Sequence, residues 1–198
     1  MSISKPVKQR VPAAERRDAL VAAAMEEFSL TGLHGTPVDR IARRVGVAQP
    51  YVFSLFATKR ELFIAAVERG FEMAMAMFSK SADDFKQAHA GIEYEHGDLL
   101  AALGDSYIEL LASNRSKLML QLQAYAACDD DVIREHVSAA YERLGVHIRE
   151  ITGIDENELN EFLSHGMWLN VQAALQIMDL DLACDWIRKR RETDSAAG

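Results

Sequence analysis

The stretch at residues 45–62, VGVAQPYVFSLFATKREL, decides how this chain is read. Gly46, Val47 and Ala48 separate two apolar-periodic segments by no more than a tight turn. Pro50 suits the first turn of a helix, where a missing N–H costs nothing. Residues 49–56 then make about two turns. At 100° per residue, Val52 and Phe56 fall together and can pack on Ile41, Val45 and Val47. Pro50, Tyr51 and Ser54 lie opposite, Phe53 and Leu55 flank the buried stripe, and Gln49 can reach forward off the helix end. A solvated face normally carries Lys and Glu, yet none occurs between Val45 and Thr58.

Working outward, the preceding segment also has helical signals. Thr36 is a suitable N-cap, Pro37 a suitable first helical residue, and Asp39 opposes the macrodipole in the first turn. Before it, Leu20, Ala24 and Phe28 form an i, i+4 stripe over residues 14–30, with Gly32 as the stop. After it, Thr58-Lys59-Arg60-Glu61 is a capping box that opens a helix over residues 58–82. The two short helices around Gly46 have the spacing of a helix-turn-helix. The outward face of the second suits a DNA major groove. Gln49 can pair bidentately with adenine, and Pro50, Tyr51 and Leu55 can touch thymine methyls, with Phe53 and Ser54 on the same surface. Arg40, Arg43, Arg44, Lys59 and Arg60 stand just outside it, where phosphates would lie.

The net charge of −8 hides an asymmetry. Residues 1–70 hold 11 Lys and Arg against 7 Asp and Glu, whereas residues 71–198 hold 11 against 23. The first part can approach a polyanion and the second is repelled by it, which predicts a division of labour.

The rest reads as all-α, with a polar interruption at residues 87–97 and helices over 98–112, 115–127, 132–151 and 156–180. Asp129, Asp130 and Asp131, and Asp155 with Glu158, sit where acidic residues cap helix starts, so capping is favoured over metal binding. His89 and His96 lie in the interruption, and no metal or other cofactor is expected. Cys128 and Cys184 form no motif and read as reduced thiols. Nothing resembles G-x-S-x-G, G-x-G-x-x-G, a P-loop, C-x-x-C or H-E-x-x-H, so no enzyme is expected. The uncharged run from Phe162 to Met178 contains His165, Asn170, Gln172 and Gln176, which suits a buried helix rather than a membrane span. Residues 1–30 lack the pattern of a secretory signal, and the expected location is cytoplasmic.

These residues carry a resemblance. Ala22-Ala23, Phe28, Gly32, Thr36, Val38, Ile41-Ala42, Gly46-Val47, Val52-Phe53, Phe56, Lys59 and Leu62 follow, at the right spacing, the N-terminal signature of the TetR family of bacterial transcriptional repressors. The resemblance covers residues 14–70. It implies a three-helix DNA-binding domain within residues 1–57 and a helical effector-binding and dimerisation domain over 58–198, joined by the helix at 58–82. It implies base contacts from Gln49, Pro50 and Tyr51, and phosphate contacts from Thr36 and Lys59. The chain departs from the pattern at Phe53, which removes a Tyr hydroxyl, at Leu55, and at Ala48, where the usual Ser or Thr cap is worth about 1 kcal/mol.

One helix-turn-helix covers few base pairs, so a homodimer on palindromic operator DNA is expected. Ile133, Val137, Leu144 and Ile148 line one face of the helix at 132–151, while the helix at 156–180 is apolar on two faces. Ile133, Val137, Leu144, Ile148, Phe162, Gly166, Leu169 and Ala173 are the expected dimer interface. Met73, Met77, Phe78, Tyr107, Leu111, Met119, Leu122, Gln123, Tyr125, Trp168 and Val171 are the candidate lining of a pocket for an unknown, largely apolar inducer. Together these readings give a ligand-released repressor. The alternative is a DNA-binding regulator that needs no ligand.

Overall fold

The computed structural model describes residues 12–177. Among these residues every regular element is an α-helix, in the order α1 (Ala13–Gly35), α2 (Val38–Val45), α3 (Gln49–Leu55), α4 (Lys59–Ala88), α5 (His96–Ser113), α6 (Arg115–Ala126), α7 (Asp131–Thr152) and α8 (Glu156–Leu175). Cys184, the tail and the last residues of the expected 156–180 helix lie outside the described residues.

Local chemistry sets most helix ends. Gly32 has φ 67° and ψ −174°, a region open essentially only to glycine, and it kinks α1 where the sequence signals a stop. Gly46 ends α2 in the left-handed conformation. The Thr58 hydroxyl accepts the Glu61 N–H at 3.1 Å, while the Glu61 carboxylate accepts the N–H of Ala57 at 2.9 Å. Asp130 accepts from the N–H groups of Val132 and Ile133 at the start of α7. Reciprocal Asp155–Glu158 bonds of 2.9 Å begin α8. A further box, Glu95 with Asp98, starts α5. Thr36 does not cap α2, since Pro37 occupies the cap position without a side-chain bond.

Two parts of the core matter for function. Leu20, Ala24 and Phe28 of α1 meet Val38 and Ile41 of α2, Val52 of α3, and Leu62 and Phe63 of α4, all buried. Phe28 and Phe63 make an edge-to-face pair at 5.0 Å, worth about 0.5–1.5 kcal/mol beyond their burial. The three-helix unit is thereby fixed to the start of α4. Further along, α4 packs against α5 and α7, and α6 packs against α1. α4 runs to Ala88, beyond the expected end at residue 82, because Phe78, Ala82 and Phe85 continue its packed face.

The expected interface residues on α7 are not on the surface. Ile133, Val137, Leu144 and Ile148 are all buried within one chain, where α4 covers them. The stripe belongs to the body's core and is no docking face. Leu169 is buried too, among Ile108, Leu111 and Leu118.

Candidate DNA-reading face and effector cavity

α3 is positioned by its buried side. Val52 and Phe56 enter the core, and the Arg17 guanidinium covers the Phe56 ring at 4.7 Å. Gln49, Pro50, Tyr51, Phe53 and Ser54 are exposed, Tyr51 and Phe53 at 37% and 41% of their full area, and Leu55 is half-buried. The face read from the sequence is therefore contiguous and accessible. The Ser54 hydroxyl donates to the Tyr51 carbonyl at 2.6 Å, which occupies its proton within the helix. Ala48 makes no side-chain cap.

The flanking residues are less free than the sequence suggests. Glu27 of α1 is 4% exposed, and its carboxylate meets Arg44 Nε at 2.8 Å and an Arg40 guanidinium nitrogen at 3.5 Å. Arg44 is thus an internal brace between α1 and α2 with a half-exposed side chain, not a freely held cation. Lys59 Nζ lies 3.3 Å from the His34 carbonyl, and partial burial lowers its pKa. Thr36 requires a correction. It is 0% exposed, its hydroxyl lies 2.7 Å from the Gly32 carbonyl and 3.1 Å from that of Glu27, and it shares a bond with Thr31. Its side chain locks the α1–α2 corner and does not face a phosphate.

The body holds a cavity of about 1110 Å³ between α4, α5, α6 and α8. Of the sequence candidates, Met73, Met77, Phe78, Tyr107 and Leu111 line it. Met119, Leu122, Gln123, Tyr125, Trp168 and Val171 do not. Leu122 packs on the small cluster around Leu118 and Leu169. Gln123 points to the α1 kink, so that a Cβ placed on Gly32 would clash with its Oε1. Tyr125 stands one bond behind the wall, its hydroxyl accepting from Gln121 Nε2 at 2.8 Å, and burial raises its pKa to about 12.

The two faces of α8 are exchanged relative to expectation. Phe162, Gly166 and Leu169, assigned to the interface, line the cavity with Leu144 of α7. Trp168, assigned to the pocket, is 54% exposed and turns outward with Val171 and Leu175. Ala173 is half-buried against the cluster that holds Leu169.

The cavity's polar groups form one network. Tyr107 donates to Asn170 Oδ1 at 2.6 Å, and Gln121 Oε1 lies 3.3 Å from the Tyr107 hydroxyl and 3.4 Å from Asn170 Nδ2. Burial pushes the Tyr107 phenol up and the His165 imidazole down, so both stay neutral at pH 7. Gln121 and His165 escaped the sequence reading. The only signal was Gln121 at i, i+4 from Tyr125, on a helix whose apolar residues favour no single side. No group of three His, Cys, Asp or Glu residues suited to a metal occurs among the described residues, and no described helix is long and apolar enough to cross a membrane.

A helix-turn-helix whose second helix is exposed has the geometry of a DNA-binding module, here joined by one long helix to an all-helical body. Residues 20–66 match the family described as bacterial regulatory proteins, tetR family. The HTH-type transcriptional activator FasR of Mycolicibacterium smegmatis is 42% identical over 60 residues, 30% of this chain and 27% of that protein. The HTH-type transcriptional regulator RutR of Escherichia coli is 30% identical over 79 residues, 40% of this chain and 37% of that protein. The chain therefore matches between 27% and 37% of the length of these curated relatives. Among solved structures, a TetR-like transcriptional regulator from Rhodococcus sp. RHA1 has a TM-score of 0.66 at 19% identity, covering 96% of this chain and 100% of the other. The regulator FadR from Bacillus subtilis, in complex with stearoyl-CoA, has a TM-score of 0.69 at 15% identity, covering 86% and 94%. At these identities the structural likeness shows the fold. Residues 20–66 therefore match the N-terminal region of the tetR family of bacterial regulatory proteins, and the chain shares the fold of TetR-like regulators.

Proposed function

We propose that this chain is a ligand-responsive repressor that binds palindromic operator DNA as a homodimer and is released by a small, largely apolar molecule. Residues 1–57 act as the DNA-binding part and residues 58–198 as the sensing and dimerising part. Gln49, Pro50, Tyr51, Phe53, Ser54 and Leu55 form the reading face, with Lys59 and Arg44 beside the phosphates. The dimer forms through the outward side of α8, where Trp168, Val171 and Leu175 repeat at helical spacing.

The observation that carries the sensor reading is the cavity of about 1110 Å³ walled by α4. Pockets for small molecules typically span roughly 300–1,000 Å³ and are mainly apolar. α4 begins at Lys59, beside the reading helix, and reaches the cavity at Met73, Met77 and Phe78. An occupant that displaces those side chains tilts α4 and changes the separation of the two reading helices in a dimer. Groove spacing is fixed at about 34–36 Å per turn, so both cannot then dock together. That FadR from Bacillus subtilis was solved with stearoyl-CoA supports a sensing body on this fold.

The test begins by selecting binding sites from random DNA with the full chain. Enrichment of two inverted half-sites is expected, and single half-sites would refute the dimer. Binders found by thermal shift are then titrated against free and operator-bound protein. By linkage, a releasing ligand binds the free form more tightly, by the same factor that it weakens DNA binding. Equal affinities would favour the ligand-independent alternative.

A further inference from the structure

We infer that the cavity's ligand is an amphipathic carboxylic acid, its carboxylate held by Lys117 and the Asn170 amide and its apolar chain running back along α5 and α8. The inference rests on the sensor reading above and narrows it to a chemical class.

Consider first the end where α6 begins. There the last turns of α5 and α8 meet the first turn of α6, since Leu111, Leu169 and Leu118 pack in one cluster. Lys117 and Gln121, one turn apart on α6, line the cavity at this end with Tyr107 and Asn170. Lys117 is half-buried, its backbone N–H is capped by Asn114 Oδ1, and among the described residues no carboxylate pairs with its ammonium. Asn170 is buried, and its carbonyl oxygen is committed to the Tyr107 hydroxyl at 2.6 Å, which leaves the NH₂ as the available donor. That NH₂ has only long contacts, 3.4 Å to Gln121 Oε1 and 3.8 Å to Met167 Sδ. A carboxylate oxygen is a stronger acceptor than either. Burial pushes the Tyr107 pKa up, so the phenol stays neutral and does not supply the missing anion. A neutral ligand would strip water from the ammonium and return no counter-charge, whereas a carboxylate supplies one.

The opposite end carries the opposite charge. Glu95, Asp98 and Glu158 line the cavity at the N-termini of α5 and α8. Asp98 to Leu111 and Glu158 to Asn170 each span about 18–20 Å at 1.5 Å per residue, so the carboxylates and Lys117 are a long molecule's length apart. These carboxylates take part in capping boxes and oppose two helix dipoles, which leaves little demand for a cation. They repel a second carboxylate, and Lys117 attracts it, so charge sets the direction in which an acid enters. Met73, Met77, Phe78 and Phe162 supply an apolar wall for its chain.

The test titrates the full chain calorimetrically at neutral pH with three probes that share a ten-carbon chain, below their micellar range: decanoate, 2-decanone and decyltrimethylammonium. Decanoate is expected to bind at least tenfold more tightly than the ketone. Lys117→Met, which keeps an unbranched stem and removes the charge, should abolish that preference by weakening decanoate alone, and Lys117→Arg should keep it. Asn170→Leu should weaken decanoate severalfold, with the fold checked by circular dichroism. A ketone that matches decanoate on the unmodified chain would overturn the inference. So would a Lys117→Met variant with unchanged decanoate affinity, because the ammonium would then point to water. Tenfold tighter binding of the cation would also overturn it, since the carboxylate end would then govern. Operator release by the ketone and not by decanoate would overturn the inference and keep the sensor reading. Decanoate binding with the expected preference but without any change in operator affinity would sink the sensor reading alone. Failure of all three probes to bind would remove both.

Discussion

Glu27 and its two arginines allow a sharp test of what holds the DNA-binding unit together. The carboxylate is buried, while Arg40 and Arg44 are about half exposed. Removing either partner is therefore not equivalent. Arg44→Ala deletes the 2.8 Å charge-assisted bond and leaves a buried carboxylate with Arg40 at 3.5 Å. A hydrogen bond to a charged group is worth about 1.5–3 kcal/mol, and an uncompensated buried charge lies at the upper end. Glu27→Gln leaves two arginines that can turn to water, so the cost should be about 0.5–1.5 kcal/mol. Near 200 residues, 1 kcal/mol moves Tm by roughly 2–4 °C. Arg44→Ala should then lower Tm by about 3–12 °C and Glu27→Gln by about 1–6 °C. The double variant should be more stable than Arg44→Ala alone, because no buried charge remains. Thermal and urea denaturation of the four proteins complete the cycle. DNA binding supplies an independent readout. Arg44→Ala should lower the salt slope by about 0.9 for each phosphate that the arginine neutralises. Glu27→Gln frees the same cation and should leave the slope unchanged or steeper. If Glu27→Gln costs as much stability as Arg44→Ala, or the double variant is the least stable, burial of the carboxylate does not set the energetics and the reasoning is wrong.

Three further outcomes are expected. Tyr51→Ala and Gln49→Ala should each weaken operator binding by about 1–3 kcal/mol while sparing random DNA, whereas Lys59→Ala should weaken both; equal losses for Tyr51→Ala would remove it from the reading face. Trp168→Arg should yield folded monomers in sedimentation experiments, but Leu169→Arg should unfold the body, since Leu169 is buried inside one chain. Gly32→Ala should cost about 1–3 kcal/mol from its backbone angles alone. Because Gln123 is flexible at its tip, adding Gln123→Ala should restore little, and full restoration would show that the clash, not the dihedral, governs.

The helix-turn-helix was legible in the sequence because its signals are local. Gly46 admits the left-handed conformation that ends α2, Pro50 fits the first turn of α3, and the separation of Val52 and Phe56 fixes which side of a seven-residue helix is buried. Thr58, Asp130 and Asp155 likewise cap the helices they precede, since a cap acts on N–H groups two or three residues away. Periodicity also found the buried stripes of α7 and α8, but it states that a side is covered and not by what. Only packing decided that α4 covers Ile133, Val137, Leu144 and Ile148, and that Leu169, not Trp168, turns inward. The same holds for polar residues with non-local partners. Thr36 reads as a cap by its neighbours, yet the Gly32 kink brings two α1 carbonyls to its hydroxyl. Glu27 and Arg44, 17 residues apart, and Tyr107 and Asn170, 63 apart, meet only when the helices cross. Amphipathic spacing fixes each helix and its apolar sides, whereas the choice between two apolar sides depends on the summed burial of the whole body, to which distant residues contribute.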